Sequence, residues 1–271
     1  MLRAEPDAEV LELRWTDTGG AAQTLVARFP AGSVSTAAPL AFDMNTLRKM
    51  LVERLRAFAA AQAPLVAVSL TGTKIELSAR GEAARPQVEA VQAEQARLYE
   101  VILTENGLVR AGPNAVLFDV PRLAVASTGA VRPLVDALGP ALPPRAFAAR
   151  ALAMVQAMSY EAVMDDTFAA PLALLRVRRG DCDEKAALFL ALVRSAAPTL
   201  PLALFTTEGH AFVGLGLPAA AGELTVDVEG VPFVVAEPVG PAVAPIGALS
   251  PVSQKALAAG ALDVRTVPEG R

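Results

Sequence analysis

The sequence predicts an α+β protein. Period-two apolar runs come in hairpin pairs near each end of the chain, and runs with helical spacing lie between them. Hydrophobic residues make up 53% of the chain and charged residues 19%, the composition of a chain that buries a core. Strands that pair with their sequence neighbours give antiparallel sheets, with the helices set apart from them.

The elements follow in order. Residues 9–15 (EVLELRW) and 24–30 (TLVARFP) read as strands joined through Asp17-Thr18-Gly19-Gly20, a turn-forming cluster. A helix is expected over 45–62, with Asn45 as its N-cap and Leu47, Leu51, Leu55 and Phe58 on one face. Residues 65–81 read as a hairpin around Thr71-Gly72-Thr73, and 83–105 as a long helix stopped by Asn106-Gly107. Breaks then accumulate at Gly112-Pro113-Asn114, Val120-Pro121, Gly139-Pro140 and Pro143-Pro144, which sets a boundary near 108. Residues 146–158 read as a helix, and 168–180 as the connection to the next one. That next helix, 182–195, carries the strongest local signal. Asp181 is a good N-cap, Glu184 stands three residues on as in a capping box, and the residues that follow are apolar nearly all round. Strands are expected at 202–205, 210–217, 223–228 and 231–237, and a short helix and the strand-like LDVRTV in the tail. The domains expected are 1–107, 108–245 and a C-terminal tail, 246–271.

Composition narrows the function. A net charge of −4 provides no basic stripe for a phosphate backbone, so no nucleic-acid partner is expected. No apolar run approaches the ~20 residues that span a bilayer, and MLRAEPDAEV has no apolar signal core. The expected location is cytoplasmic as written, or periplasmic or secreted if a signal peptide has been removed. One Cys and one His rule out an internal disulfide and leave too few ligands for a structural zinc site. Asp165-Asp166 and the Asp181/Asp183/Glu184 group lack the regular oxygen spacing of a calcium loop. No metal and no cofactor are expected.

The same scarcity sharpens one possibility. Cysteine reacts as the thiolate, and Cys182 opens a helix, where backbone N–H groups and the dipole favour negative charge. The single imidazole, His210, opens a strand, and Glu237 ends one that can lie beside it. Such a carboxylate would fix the imidazole tautomer. Asp227 is the alternative acid, although strand alternation turns it away from Val226 and Val228. Asp181, Asp183 and Glu184 oppose thiolate formation unless capping directs their oxygens elsewhere. The bland alternative is a small buried cysteine and a structural histidine.

Gly180-Asp181-Cys182-Asp183-Glu184-Lys185, His210-Ala211-Phe212-Val213 and Phe233-Val234-Val235-Ala236-Glu237-Pro238 resemble, in order and spacing, the motifs of bacterial transglutaminase-like proteins. Val155–Tyr160 and Phe168–Leu172 resemble the segments that lead into the Cys box. The resemblance covers about 113–240. It implies a papain-like core, with the Cys at a helix N-terminus packed on an antiparallel sheet, preceded here by a smaller α+β domain. It also implies a thiol acyl-enzyme: Cys182 attacks a peptide or side-chain amide, an amine leaves, and water or another amine resolves the thioester. The Cys182 backbone N–H and the Gln156 side chain are the oxyanion donors to consider. Asp183, where animal cross-linking enzymes commonly carry Trp, makes hydrolysis at least as reasonable as cross-linking, as do Phe212 in place of Trp and Glu237 in place of Asp. The expected partner is a protein or peptide substrate, with residues 1–107 a second place for a protein to dock. A non-catalytic binding module that retains the fold is the alternative.

Overall fold

In the computed structural model the chain is mixed α and β. The structure describes all residues except 113, 114, 163–165, 208, 241, 242, 261 and 271. Pro113-Asn114, Asp165 and Pro241 therefore lie outside the described residues.

In chain order the elements are β1 (Leu2–Glu5), β2 (Ala8–Thr16), β3 (Ala22–Pro30), β4 (Leu40–Ala41), α1 (Met44–Gln62), β5 (Val66–Thr71), β6 (Lys74–Ala79) and, after a 3-10 turn, α2 (Arg85–Glu105). Next come β7 (Leu108–Arg110), β8 (Val116–Phe118), α3 (Val120–Ala126), α4 (Arg132–Leu138), α5 (Pro144–Gln156), β9 (Ser159–Tyr160), β10 (Thr167–Phe168), α6 (Pro171–Val177), β11 (Arg179–Gly180) and α7 (Cys182–Ala196). The chain finishes with β12 (Leu202–Thr207), β13 (His210–Leu215), β14 (Thr225–Val228), β15 (Val231–Ala236), α8 (Pro251–Ala258) and β16 (Asp263–Thr266).

Two compact units form, Ala41–Asp119 and Met1–Leu40 together with Val120–Arg271. The division differs from the expected 1–107 domain. β2 and β3 pair over their full length, from Ala8↔Pro30 to Thr16↔Ala22, and bury alternate residues: Leu11, Leu13 and Trp15 on β2, Leu25, Ala27 and Phe29 on β3. That apolar face is covered by helices made more than a hundred residues later, because β2 contacts α5 and β3 contacts α4. Alternation fixed which residues are buried, but not what covers them. The smaller unit is contiguous. Its core gathers Leu51, Leu55 and Ala59 of α1, Val66 and Val68 of β5, and Ile102 and Leu103 of α2. The cap of α1 is Asp43, whose carboxylate accepts from the Asn45 and Thr46 N–H groups, not Asn45 as expected.

The larger unit is built on a five-stranded antiparallel sheet, ordered β14-β15-β13-β12-β16. The expected tail is part of it. β16 pairs with β12 (Leu204↔Arg265) and the Val267 N–H donates to the Leu202 carbonyl. Helix α7 packs on β12 and β13 and contacts α3, α4, α5 and α6. Neighbours on so many sides bury everything from Ala186 to Val193, as an all-round apolar helix requires. No helix among the described residues is long and apolar enough to cross a membrane.

Candidate functional site

The N-terminus of α7 is fixed by reciprocal capping. Asp181 Oδ1 accepts from the Asp183 and Glu184 N–H groups, both at 3.1 Å, and Glu184 Oε2 accepts from the Asp181 N–H at 3.1 Å. Glu184 Oε1 also accepts from the Ala169 N–H, which ties the segment before α6 to the cap. Gly180 makes the arrangement feasible. A Cβ there would lie 2.3 Å from Glu184 Oε2 and 2.7 Å from Leu174 Cδ1. Cys182 thus occupies the first helical position, half-buried and free of any disulfide.

The second half of the site follows from strand register. β13 and β15 pair with Val213 opposite Ala236. One step further sets Glu237 opposite Phe212, on the same face as His210 two residues away. Diagonal neighbours of this kind stand ~7–8 Å apart, a gap that a Glu and a His side chain close between them. Glu237 Oε1 lies 2.8 Å from His210 Nε2. The carboxylate is itself held by α8: the Ser250 N–H donates to Oε2 at 2.5 Å, and the Ser250 and Ser253 hydroxyls donate to Oε1 at 3.0 and 2.8 Å. Burial pushes the Glu237 carboxyl up, but the bonds from His210, the Ser250 N–H and the two hydroxyls outweigh it and hold it below the usual glutamate value. An ionised carboxylate only accepts, so His210 Nε2 carries the proton. Nδ1 of the neutral ring then has a lone pair, and it has no hydrogen-bond partner among the described residues.

No hydrogen bond joins Cys182 to His210 among the described residues. Cys182 Sγ instead lies 3.9 Å from Asp183 Oδ1. Burial first, then the charges of Asp183 and Asp181, push the thiol up to about 12, against smaller opposing effects of the Ala211 and Asp183 N–H groups. Capping does divert Asp181 and Glu184 to backbone donors, as the sequence allowed. Asp183 is not diverted. Its own carboxyl is pushed up by burial and by Asp181, with Arg265, His210 and Cys182 pulling the other way. Cys182 rests as a thiol, facing an acid.

The two remaining side chains take other parts. Both amide hydrogens of Gln156 are directed at backbone carbonyls, Glu237 O at 2.8 Å and Ala244 O at 2.9 Å. Gln156 is a strut that locates the end of β15 and the loop beyond, and it has no N–H left for an oxyanion. Asp227 is exposed, and its Oδ1 accepts from the Gly230 N–H in the β14–β15 turn. The acid on His210 is Glu237.

Sequence reading missed Ser250, Ser253 and Arg265. Ser250 before Pro251 was available as a helix start, but nothing local connects that cap to Glu237. No group of three or more His, Cys, Asp or Glu side chains suited to a metal occurs among the described residues. Compared with known proteins, the chain matches no protein-family model, no curated sequence and no solved structure.

Proposed function

We propose that this chain is a thiol-dependent hydrolase or acyl transferase acting on peptide or protein amides, with a papain-like arrangement of Cys182, His210 and Glu237. The observation that carries the reading is the His210 Nε2–Glu237 Oε1 pair at 2.8 Å. A buried carboxylate supplied with four donors is a costly feature, and it presents an imidazole with a fixed tautomer and an open Nδ1. Cys182 opens α7 close by, since Asp183 touches the thiol and feels the charge of His210. In the reaction, His210 Nδ1 takes the proton of Cys182 as the sulfur attacks the carbonyl carbon. The imidazolium is stabilised by Glu237 and returns the proton to the departing amine. Water or a second amine then attacks the thioester. The Cys182 backbone N–H is the first oxyanion donor to consider.

A second reading, a binding module that keeps the fold without turnover, is favoured by the Asp183 contact and the raised thiol.

An activated ester distinguishes the two. With p-nitrophenyl acetate, an enzyme gives a stoichiometric burst and an acetyl group on Cys182 by mass spectrometry. His210→Ala slows acylation by ~10²–10⁴, the usual contribution of a general base. Acylation indifferent to His210, or none at Cys182, selects the binding module.

A further inference from the structure

Attack on a carbonyl carbon puts negative charge on the carbonyl oxygen, and a site that stabilises that charge needs donors with no other bond to make. One stands in the first turn of α7. The Asp181 carboxylate takes the Asp183 and Glu184 N–H groups and not that of Cys182, and the first N–H groups of a helix have no partner within it. Oxyanion holes commonly use a second donor beside the nucleophile's own N–H. Gln156 does not supply it, because both of its amide hydrogens are bonded to carbonyls.

The strand before the Cys box offers another. β9 runs parallel to β11, with Tyr160 paired to Gly180, two residues before Cys182. The Glu161 N–H donates to the Gly180 carbonyl at 3.1 Å and the Ser159 N–H to the Arg178 carbonyl at 3.2 Å, so β9 is fixed to the segment that enters the α7 cap. Tyr160 is 51% exposed, and its hydroxyl makes no hydrogen bond among the described residues. Partial burial first, then the charges of Cys182, Asp181 and Asp183, raise the phenol above its ordinary value. It therefore keeps its proton at neutral pH, as a donor must. Cys182 acts on it more strongly than either aspartate does, which sets the hydroxyl within electrostatic reach of the sulfur.

We propose that the Tyr160 hydroxyl is the second oxyanion donor of this site, and so a catalytic residue. The inference rests on the reading of Cys182 as an acyl-forming nucleophile. As Sγ bonds to the carbonyl carbon, the thiol proton passes to His210 and the π pair moves to the oxygen. That oxygen accepts from the Cys182 N–H and from the Tyr160 hydroxyl. When the pair returns, the bond to the leaving group breaks and the His210 proton departs with the amine. Tyr160 keeps its own proton throughout.

Two reactions of the same thiol separate this role from any effect on the sulfur. Iodoacetamide reacts at a saturated carbon and forms no oxyanion, whereas p-nitrophenyl acetate forms one. Tyr160→Phe keeps the ring and removes the donor. It should slow the acetyl burst at Cys182 about tenfold to about a hundredfold, at or below the ~10²–10³ lost with a donor in an enclosed site, since water competes for an exposed hydroxyl. Its iodoacetamide rate and Tm should match wild type. A ring that only supports the substrate's side chain works equally well as Phe, so a burst unchanged in Tyr160→Phe overturns the proposal. Alkylation and acetylation slowed together also overturn it, because the residue then acts on the thiol. Wild type that forms no acetyl-Cys182 overturns the enzyme reading and this inference with it, an outcome distinct from a normal burst that ignores Tyr160→Phe.

Discussion

Replacing Asp183 by Asn removes the charge nearest the thiol and keeps the side-chain shape. Oδ1 lies 3.9 Å from Sγ. Two unit charges at that distance repel by about 1 kcal/mol in bulk water and about 4 kcal/mol at an effective dielectric near 20. The half-buried site falls between those limits, so Asp183→Asn should lower the Cys182 pKa from about 12 by roughly one to three units. The burial contribution stays, which keeps the variant thiol above an ordinary cysteine. Iodoacetamide reads this directly, since the chain has one thiol. A lower pKa also makes each thiolate less nucleophilic, with a Brønsted slope of ~0.4–0.5. Well below both pKa values, the net gain in alkylation rate is therefore about threefold to about sixtyfold. Asp227→Asn, in an exposed turn, should leave the rate unchanged. If Asp183→Asn and wild type show the same pH–rate curve, Asp183 does not control the thiol.

Two further substitutions test the packing around the site. Lys185 is fully buried, donates to the Met158 carbonyl, and is lowered by burial to about 8. Its folded pKa lies below the unfolded value near 10.4, so the unfolded chain binds more protons between those values and stability rises with pH there. Denaturant titrations from pH 7 to pH 10.5 should show a gain of up to about 3 kcal/mol, absent in Lys185→Met. Gly240→Ala would set a Cβ 2.1 Å from the Gln156 carbonyl. It should destabilise by about 1–3 kcal/mol and displace the loop that Gln156 holds, read as a fall in Tm and slower acylation of Cys182. Unchanged Tm and acylation would mean that the loop moves freely.

What the sequence made legible was local. The capping box of Asp181 and Glu184 was readable because a cap is written in four consecutive residues. The pairing of Glu237 with His210 was readable because the tight Glu229-Gly230 turn joins β14 to β15 and leaves few ways to lay that hairpin beside the His210 strand. Proline misled the reading of 108–145. Pro144 opens α5 and Pro121 is the second residue of α3, positions where the missing N–H does no harm, so two of these breaks begin helices. β1 was missed because Arg3 and Ala4 are exposed and Leu2 and Glu5 only partly buried, which leaves no alternation to detect. The hold of Asp183 on the thiol, the support of Glu237 by Ser250 and Ser253, and the strut role of Gln156 are tertiary facts. The Gln156 bonds alone span 81 and 88 residues.

The interrupted larger unit has a consequence during synthesis. The β2–β3 hairpin leaves the ribosome well before the helices that shield its apolar face, which are encoded after the whole of Ala41–Asp119. At ~5–20 residues per second, a hundred-residue delay keeps Leu11, Trp15 and Phe29 uncovered for about 5–20 s. The contiguous smaller unit can fold meanwhile. A nascent chain in that state is a client for a chaperone, and its yield should depend on translation speed more than the stability of the finished protein would suggest.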